Sequence, residues 1–342
     1  MLETLEHYSS LALYSAMIVY AIAFVFYAVD FANRSGDAAA DQGEVAAGAA
    51  AAEKTAAAAQ AGRTTPTAGG SVATLTRSAP TGERAAGKLP RSRSLRIGFS
   101  LTVLGFLLHL AATILRGIGA ERVPFANMYE FALTATLAIV LIFLLVQFFV
   151  DLRFLGALVT GLAVIFLGLT RVNFYVEIVP LPAALDSYWL IIHILVAVLA
   201  VGFLTISFGL SLLQLLQHRR EQQLQTGGPA GMGFLSSLPG SVRLEDMAYR
   251  IAIIGFVFWS FTLIAGSIWA EAAWSRYWGW DVKEVWTFVI WVLYAGYIHA
   301  RATRGWRGTR SAWLSIIAYA AVLFNFTIVN VFFKGLHAYS GL

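Results

Sequence analysis

Apolar residues fill long, nearly unbroken stretches of this chain, and polar residues gather in the gaps between them. Eight stretches are long enough to be membrane helices, at about 10–31, 97–117, 127–150, 153–171, 188–216, 248–271, 284–300 and 312–333. A helical crossing of a bilayer's hydrocarbon core takes about 20 such residues. By that standard the seventh stretch is short, and the fifth is long enough to tilt or protrude. Most connections are short. The pattern predicts an all-α fold, a polytopic membrane helical bundle of about eight transmembrane helices.

Two segments break it. Residues 33–95 are rich in Ala, Gly, Thr and Ser, with an alanine run at Ala56–Ala59 and turn signals at Pro66, Gly69, Gly70 and Pro80. Such a composition buries too little to order itself. It predicts a flexible insertion with transient helix in its alanine runs. Residues 222–242, rich in Gln, Gly and Ser, predict a second loose loop. The expected division is an N-terminal transmembrane helix over 1–32, an Ala-rich cytoplasmic insertion over 33–96, and a membrane domain over 97–342. The first apolar stretch has no basic leading region and no small-residue cleavage site, and reads as a retained helix.

Composition agrees. Hydrophobic residues make up 58% of the 342 and charged residues 13%, about half the soluble norm of roughly 25%. The net charge of +5 lies in short loops, which suits a cytoplasmic membrane face and not a nucleic-acid surface. Arg84, Lys88, Arg91, Arg93 and Arg96 precede the second stretch. His218, Arg219 and Arg220 follow the fifth, and Arg301, Arg304, Arg307 and Arg310 follow the seventh. With eight crossings these three loops share one side. The loops at 118–126, 172–187 and 272–283, and both termini, then face outward. There is no cysteine, so thiolate metal sites, disulfides and thiol redox chemistry are excluded.

The chemistry concentrates in Trp269-Ala-Glu-Ala-Ala-Trp274-Ser-Arg-Tyr277-Trp278-Gly-Trp280-Asp281-Val-Lys283-Glu284-Val-Trp286, which holds five of the ten tryptophans. An interfacial aromatic belt is the plain reading. Five indoles interleaved with carboxylates exceed what anchoring needs, and they suit a flat conjugated ligand. Six histidines can be weighed one by one. His193, just after Tyr188-Trp189, and His337, after the eighth stretch, fall on the same outer side as the tryptophans. Two imidazoles flanking an aromatic platform fit axial ligands for haem iron; interfacial polar groups are the plain alternative. His299 lies at the inner end of the seventh stretch, either as a surface histidine or as an intramembrane ligand. His109 sits inside the second and needs a polar partner, as a hydrogen-bonded structural group or as a ligand. His7 and His218 read as loop residues. Asn127 and Glu130 form a capping-box-like pattern before the third helix, on the side where they could floor the same chamber. Phosphate-binding, zinc-protease, nucleophile-elbow and EF-hand motifs do not occur.

The tryptophan window resembles the signature of the cytochrome c assembly (WWD) family. Ser187-Tyr-Trp-Leu-Ile-Ile-His193 is similar to that family's first external haem-ligand segment, and Gly335-Leu-His337-Ala-Tyr339 to its second. Tyr297-Ile-His299-Ala-Arg301 resembles its transmembrane histidine, and Pro124-Phe-Ala-Asn127-Met-Tyr129-Glu130 a further segment. Order and spacing are nearest the CcsA/ResC branch of the System II synthases, over roughly 97–342. Two positions depart from the signature: Ser275 where Gly is common, and Val282 where Pro is frequent.

The resemblance implies a subunit of a cytochrome c synthase that works with a ResB-type membrane partner. It implies that haem b passes from His299 to an outer site. There His193, His337, Trp269, Trp274, Trp278, Trp280, Asp281 and Trp286 would hold it for attachment to an apocytochrome c CxxCH motif. Rival readings are a haem exporter or chaperone without a catalytic role, a transporter of another solute, and a structural subunit with a heavy aromatic belt. The geometric expectation is that His193, His337 and the tryptophan window meet at one end of the bundle.

Overall fold

The computed structural model describes residues 2–61, 92–178, 187–227, 233–303, 305–333 and 335–336, with side chains omitted at 35 and 37–61. Among the described residues there are eight long helices: α1 (Leu2–Ala61), α2 (Arg93–Ala120), α3 (Met128–Val146), α4 (Gly156–Asn173), α5 (Tyr188–Gln225), α6 (Ser241–Trp274), α7 (Val282–Ala302) and α8 (Thr309–Phe324). A π-helical turn at Asn325–Val329 and a short turn at Asn330–Phe332 prolong α8. No strand occurs among the described residues. Seven of the expected crossings are long and apolar enough to span a bilayer, the last as Thr309–Phe332. α7 falls short on hydropathy, not length: 21 residues at ~1.5 Å each reach about 31 Å. The chain is therefore a multi-pass membrane protein.

Several boundaries differ from expectation. α1 does not stop near 31 but continues to Ala61, so the first half of the expected loose insertion is helical. Alanine is the best helix former, and a helix already nucleated extends cheaply. The rest of that insertion, 62–91, lies outside the described residues. α5 runs to Gln225 and α6 begins at Ser241, which shortens the expected 222–242 loop. Hydropathy fades there while the helical pattern persists. Gln214 donates to the Gly308 carbonyl at 2.9 Å, and Leu235 is buried in the short 3-10 turn between the two helices.

α5 is central. It packs on α3, α6 and α8, while α1 packs on α2 and α4. One core joins α1–α5 and the first half of α6, and a second joins α5–α8. Hydrophobic transfer drives little helix association in lipid, so close packing and polar pairing matter more. α1 illustrates the packing. The Tyr20 ring lies where a Cβ on Gly105 would come within 2.6 Å, and the Tyr27 ring within 2.2 Å of one on Gly156.

Charges sort the two ends. At one end the buried Glu130 carboxylate accepts from Arg116 at 3.2 Å and Arg122 at 2.7 Å, while Arg116 also reaches Glu6 at 3.0 Å and the Val176 carbonyl at 2.8 Å. This cluster ties α1, α2, α3 and the chain after α4 together. At the other end Arg301 pairs with Glu245 at 2.8 Å and with Asp246. The arginines near Glu130 are matched by acids, whereas Arg219, Arg220, Arg307 and Arg310 leave the opposite end positively charged.

Removing one partner of a buried ion pair leaves an uncompensated charge, at a cost of about 3–5 kcal/mol. Glu130→Leu should lose that much in equilibrium unfolding in detergent, and Asp151→Ala, at the more exposed pair with Arg153, under about 1 kcal/mol. Equal losses would contradict the stapling role of the Glu130 cluster.

Candidate functional site

The start of α3, the start of α5, the end of α6, the start of α7 and the end of α8 converge at the Glu130 end of the bundle. They enclose a mostly apolar cavity of about 150 Å³. His193, Trp259, Trp269, Trp278, Phe131 and Phe326 are among its walls. The Phe131 and Phe326 rings stack at 4.9 Å. A buried apolar layer containing Phe125, Leu190, Val198 and Trp269 packs alongside.

His193 is fixed from two sides. Its Nδ1 lies 3.0 Å from the Thr262 carbonyl of α6, and its ring stacks on Trp269 at 5.7 Å and 22°. A carbonyl only accepts, so Nδ1 carries the proton and Nε2 is the basic nitrogen. Such a backbone partner orients an imidazole for metal ligation. The approach depends on Gly266, one turn after Thr262. A Cβ there would fall 2.8 Å from His193 Cε1 and 2.9 Å from Nδ1.

The tryptophan window is not one slab. Trp269 and Trp278 line the cavity with Tyr277, and Trp274 packs behind Trp269 at 4.9 Å. Trp280 is 74% exposed and meets Trp278 edge-on at 5.9 Å. Trp286 packs on Phe324 at 4.3 Å, in the core between α7 and α8. Asp281 caps α7: its side chain accepts from Lys283 N–H, and Glu284 returns a bond to Asp281 N–H, completing a capping box. Asp281 also accepts from Leu336 N–H at 3.0 Å. Trp280, Asp281 and Trp286 thus shape the loop and the helix start without lining the cavity.

Both departures from the family signature have a local explanation. Ser275 is the left-handed C-cap of α6, at φ 54°, where glycine is favoured. Val282 is the first residue of α7, where proline is favoured.

The remaining histidines separate. His337 lies outside the described residues, but Leu336 before it is held at this end by Asp281. His299 is exposed in the last turn of α7. It lies about twelve residues beyond the cavity-lining Thr287, roughly 18 Å at ~1.5 Å per residue. The structure does not bring it to His193. His109 is fully buried with Nε2 3.0 Å from the Leu133 carbonyl, the hydrogen-bonded structural alternative. Asn127 caps α3 by accepting from Glu130 N–H at 2.9 Å. The reciprocal half of that box is absent, because Glu130 accepts from Ala126 N–H and the two arginines instead. Residues 125–128 do line the cavity. Among the described residues no group of three or more His, Asp or Glu could hold a metal ion by itself.

Sequence reasoning missed Thr262, Gly266, Lys283, Asn325 and Asn330. Lys283 donates to the Asn325 carbonyl at 2.8 Å and to Asn330 Oδ1 at 2.6 Å, and lies 4.7 Å from the centre of the Phe326 ring. Two asparagines inside the eighth apolar stretch were the readable signal, since polar groups in a membrane helix need a purpose.

Comparison with known proteins follows the same geography. The model of a family described as cytochrome C assembly protein matches residues 125–337. A cytochrome c biogenesis protein CcsA of Guillardia theta is 29% identical, over 72% of this chain and 86% of that protein. Its counterpart in Trieres chinensis is 30% identical, over 66% and 81%, and that of Synechococcus elongatus is 30% identical, over 66% and 81%. Among solved structures, the cytochrome c haem lyase CcmF matches with a TM-score of 0.61 over 94% of this chain. At 14% identity that likeness is one of fold, and this chain spans 46% of the CcmF chain.

Gly266→Ala tests the His193 seat. Overpacking should cost about 1–3 kcal/mol. With His193→Ala present the clash is gone, and the same change should be neutral or gain about 0.5–1 kcal/mol, the ordinary preference for alanine in a helix. A double-mutant cycle by detergent unfolding reads both. Equal effects in the two backgrounds would contradict the contact.

Proposed function

This chain belongs to the cytochrome c assembly protein family and so serves cytochrome c maturation, and we propose that it carries haem b across the membrane and presents it at the cavity beside His193. Haem is the cargo, not a resident cofactor. The observation that carries this reading is the His193 imidazole, held by a backbone carbonyl and an indole inside an aromatic cavity. Its Nε2 is suited to haem iron, and Trp269, Trp278 and Phe131 supply apolar surface for a flat macrocycle. The enclosed space is below the ~300–1,000 Å³ usual for closed small-molecule pockets. The macrocycle would therefore lie across the open mouth, with one edge exposed.

An exposed edge is what attachment needs. In the proposed reaction each thiol of an apocytochrome c CxxCH motif adds across a haem vinyl group: sulfur bonds to one carbon, the proton ends on the other, and no electrons are exchanged. The substrate supplies both thiols, which fits a chain without cysteine. This chain's residues would bind and orient, and proximity would supply most of the rate gain. His337, just after the anchored Leu336, is the proposed second axial ligand, and His299 the ligand of an earlier, inner position.

Orientation supports the same reading. The end carrying surplus arginines fits the cytoplasm, and the outer face of the plasma membrane is the side proposed for the cavity. A ResB-type subunit is the proposed partner.

The test is spectroscopic. His193→Gly should weaken haem binding by roughly tenfold or more, about 1.4 kcal/mol, and alter the Soret band, and added imidazole should restore both. A wild-type spectrum and affinity in His193→Gly would remove the ligand role. His299→Ala should leave the cavity's haem spectrum unchanged.

A further inference from the structure

One wall of the cavity is unlike the rest. Asn325 is 1% exposed and lines the cavity, yet neither Nδ2 nor Oδ1 of its side chain has a hydrogen-bond partner. Asn127, 7% exposed, lines the cavity too, and its Nδ2 is likewise without a partner. Lys283 lines the same cavity. An ammonium has three donors, and Lys283 spends two, on the Asn325 carbonyl and on Asn330 Oδ1. No carboxylate forms an ion pair with it among the described residues.

The backbone is shaped to keep this arrangement. The π-helical turn begins at Asn325. Such turns are rare and recur at functional sites. Here the turn presents the Asn325 carbonyl to Lys283 while the Asn325 amide stays on the cavity wall. Asn330, just past the turn, is held by donating to the Phe326 carbonyl and to Met128 Sδ. Buried polar groups are normally satisfied. Asp281, two residues before Lys283, is a carboxylate that acts on it electrostatically without forming an ion pair. Two amide donors without partners on the wall of a cavity that also holds this ammonium mark a place for an acceptor carrying negative charge.

We propose that Lys283, Asn325 and Asn127 form a carboxylate subsite that seats a propionate of the haem placed beside His193. This rests on the haem reading and deepens it, fixing which edge of the macrocycle faces inward. A porphyrin's carboxylates lie on the edge away from both vinyl groups. Anchoring a carboxylate in the wall therefore leaves the vinyl edge toward the mouth. Glu284 is the opposing charge in the cavity. Its Oε2 accepts from the N–H groups of Gly279 and Asp281 at the N-terminus of α7, where a negative charge is stabilised. Its Oε1 is without a partner.

The experiment compares iron protoporphyrin IX with its dimethyl ester, which has the same iron and vinyl groups but no carboxylate. Binding to the purified full chain in detergent is followed at the Soret band, for wild type, Lys283→Met, Lys283→Arg and Asn325→Leu. Wild type should prefer the free acid at least tenfold. Lys283→Met and Asn325→Leu should lose most of that preference through weaker binding of the acid, with the ester bound as before. Lys283→Arg should retain it. The ester serves as the folding control, since a misfolded variant would bind neither. An acid-to-ester ratio in both Lys283→Met and Asn325→Leu equal to wild type would overturn the subsite and leave the haem reading intact. Absence of any Soret change with wild type would overturn the haem reading and the subsite together.

Discussion

A polar group in hydrocarbon must find a partner or lose several kcal/mol, and that constraint arranges this bundle. Where the helices cross, hydroxyls and His109 turn to backbone carbonyls, as in the Ser207 bond to Ala248 at 2.9 Å and the His109 bond to Leu133 at 3.0 Å. At the cavity end a carboxylate, Glu130, is buried because two arginines meet it. The same constraint gives the His193–Thr262 bond its meaning. A helix carbonyl already has a partner along its own helix. The His193 ring can approach Thr262's as a second partner because Gly266, one turn on, has no Cβ; one there would fall 2.8 Å from the ring. Gly266 supplies that opening, and the imidazole is thereby held in one orientation.

The two halves of the molecule divide the work. α1–α4 build a wall through tyrosines lodged on glycines and through the Glu6–Arg116–Glu130–Arg122 cluster. α5 carries His193 on the seam between that wall and α6–α8. The loop from Trp274 to Asp281 covers the seam. It begins and ends in positive-φ positions, Ser275 and Trp280, and is closed by the Asp281–Glu284 box. Its tryptophans therefore do different things. Trp269 and Trp278 face the cavity, Trp280 faces outward, and Trp286 secures α7 against α8.

Much of this was legible in the sequence. The apolar stretches foretold eight helices, and the arginine-rich loops foretold which ends group together. His193 lies on the cavity wall with Trp269 and Trp278, while His337, the other imidazole expected there, lies outside the described residues. What was not legible has physical causes. Hydropathy cannot see a helix that continues through alanine or through a polar periphery, so α1 and α5 run further than expected. A run of five tryptophans looks like one surface until backbone turns send successive residues in different directions. Gly266, Asn325 and Lys283 matter through contacts with residues distant in sequence, and those contacts exist only once α5, α6, α7 and α8 are packed.

The central claim is that the cavity beside His193 receives the haem iron. A cryo-electron-microscopy map of the haem-loaded chain in a lipid nanodisc is the direct measurement. The account predicts planar density at the mouth between Trp269 and Trp278, its iron on His193 Nε2. Planar density lying only beside His299, with the mouth filled by lipid or water, would contradict it.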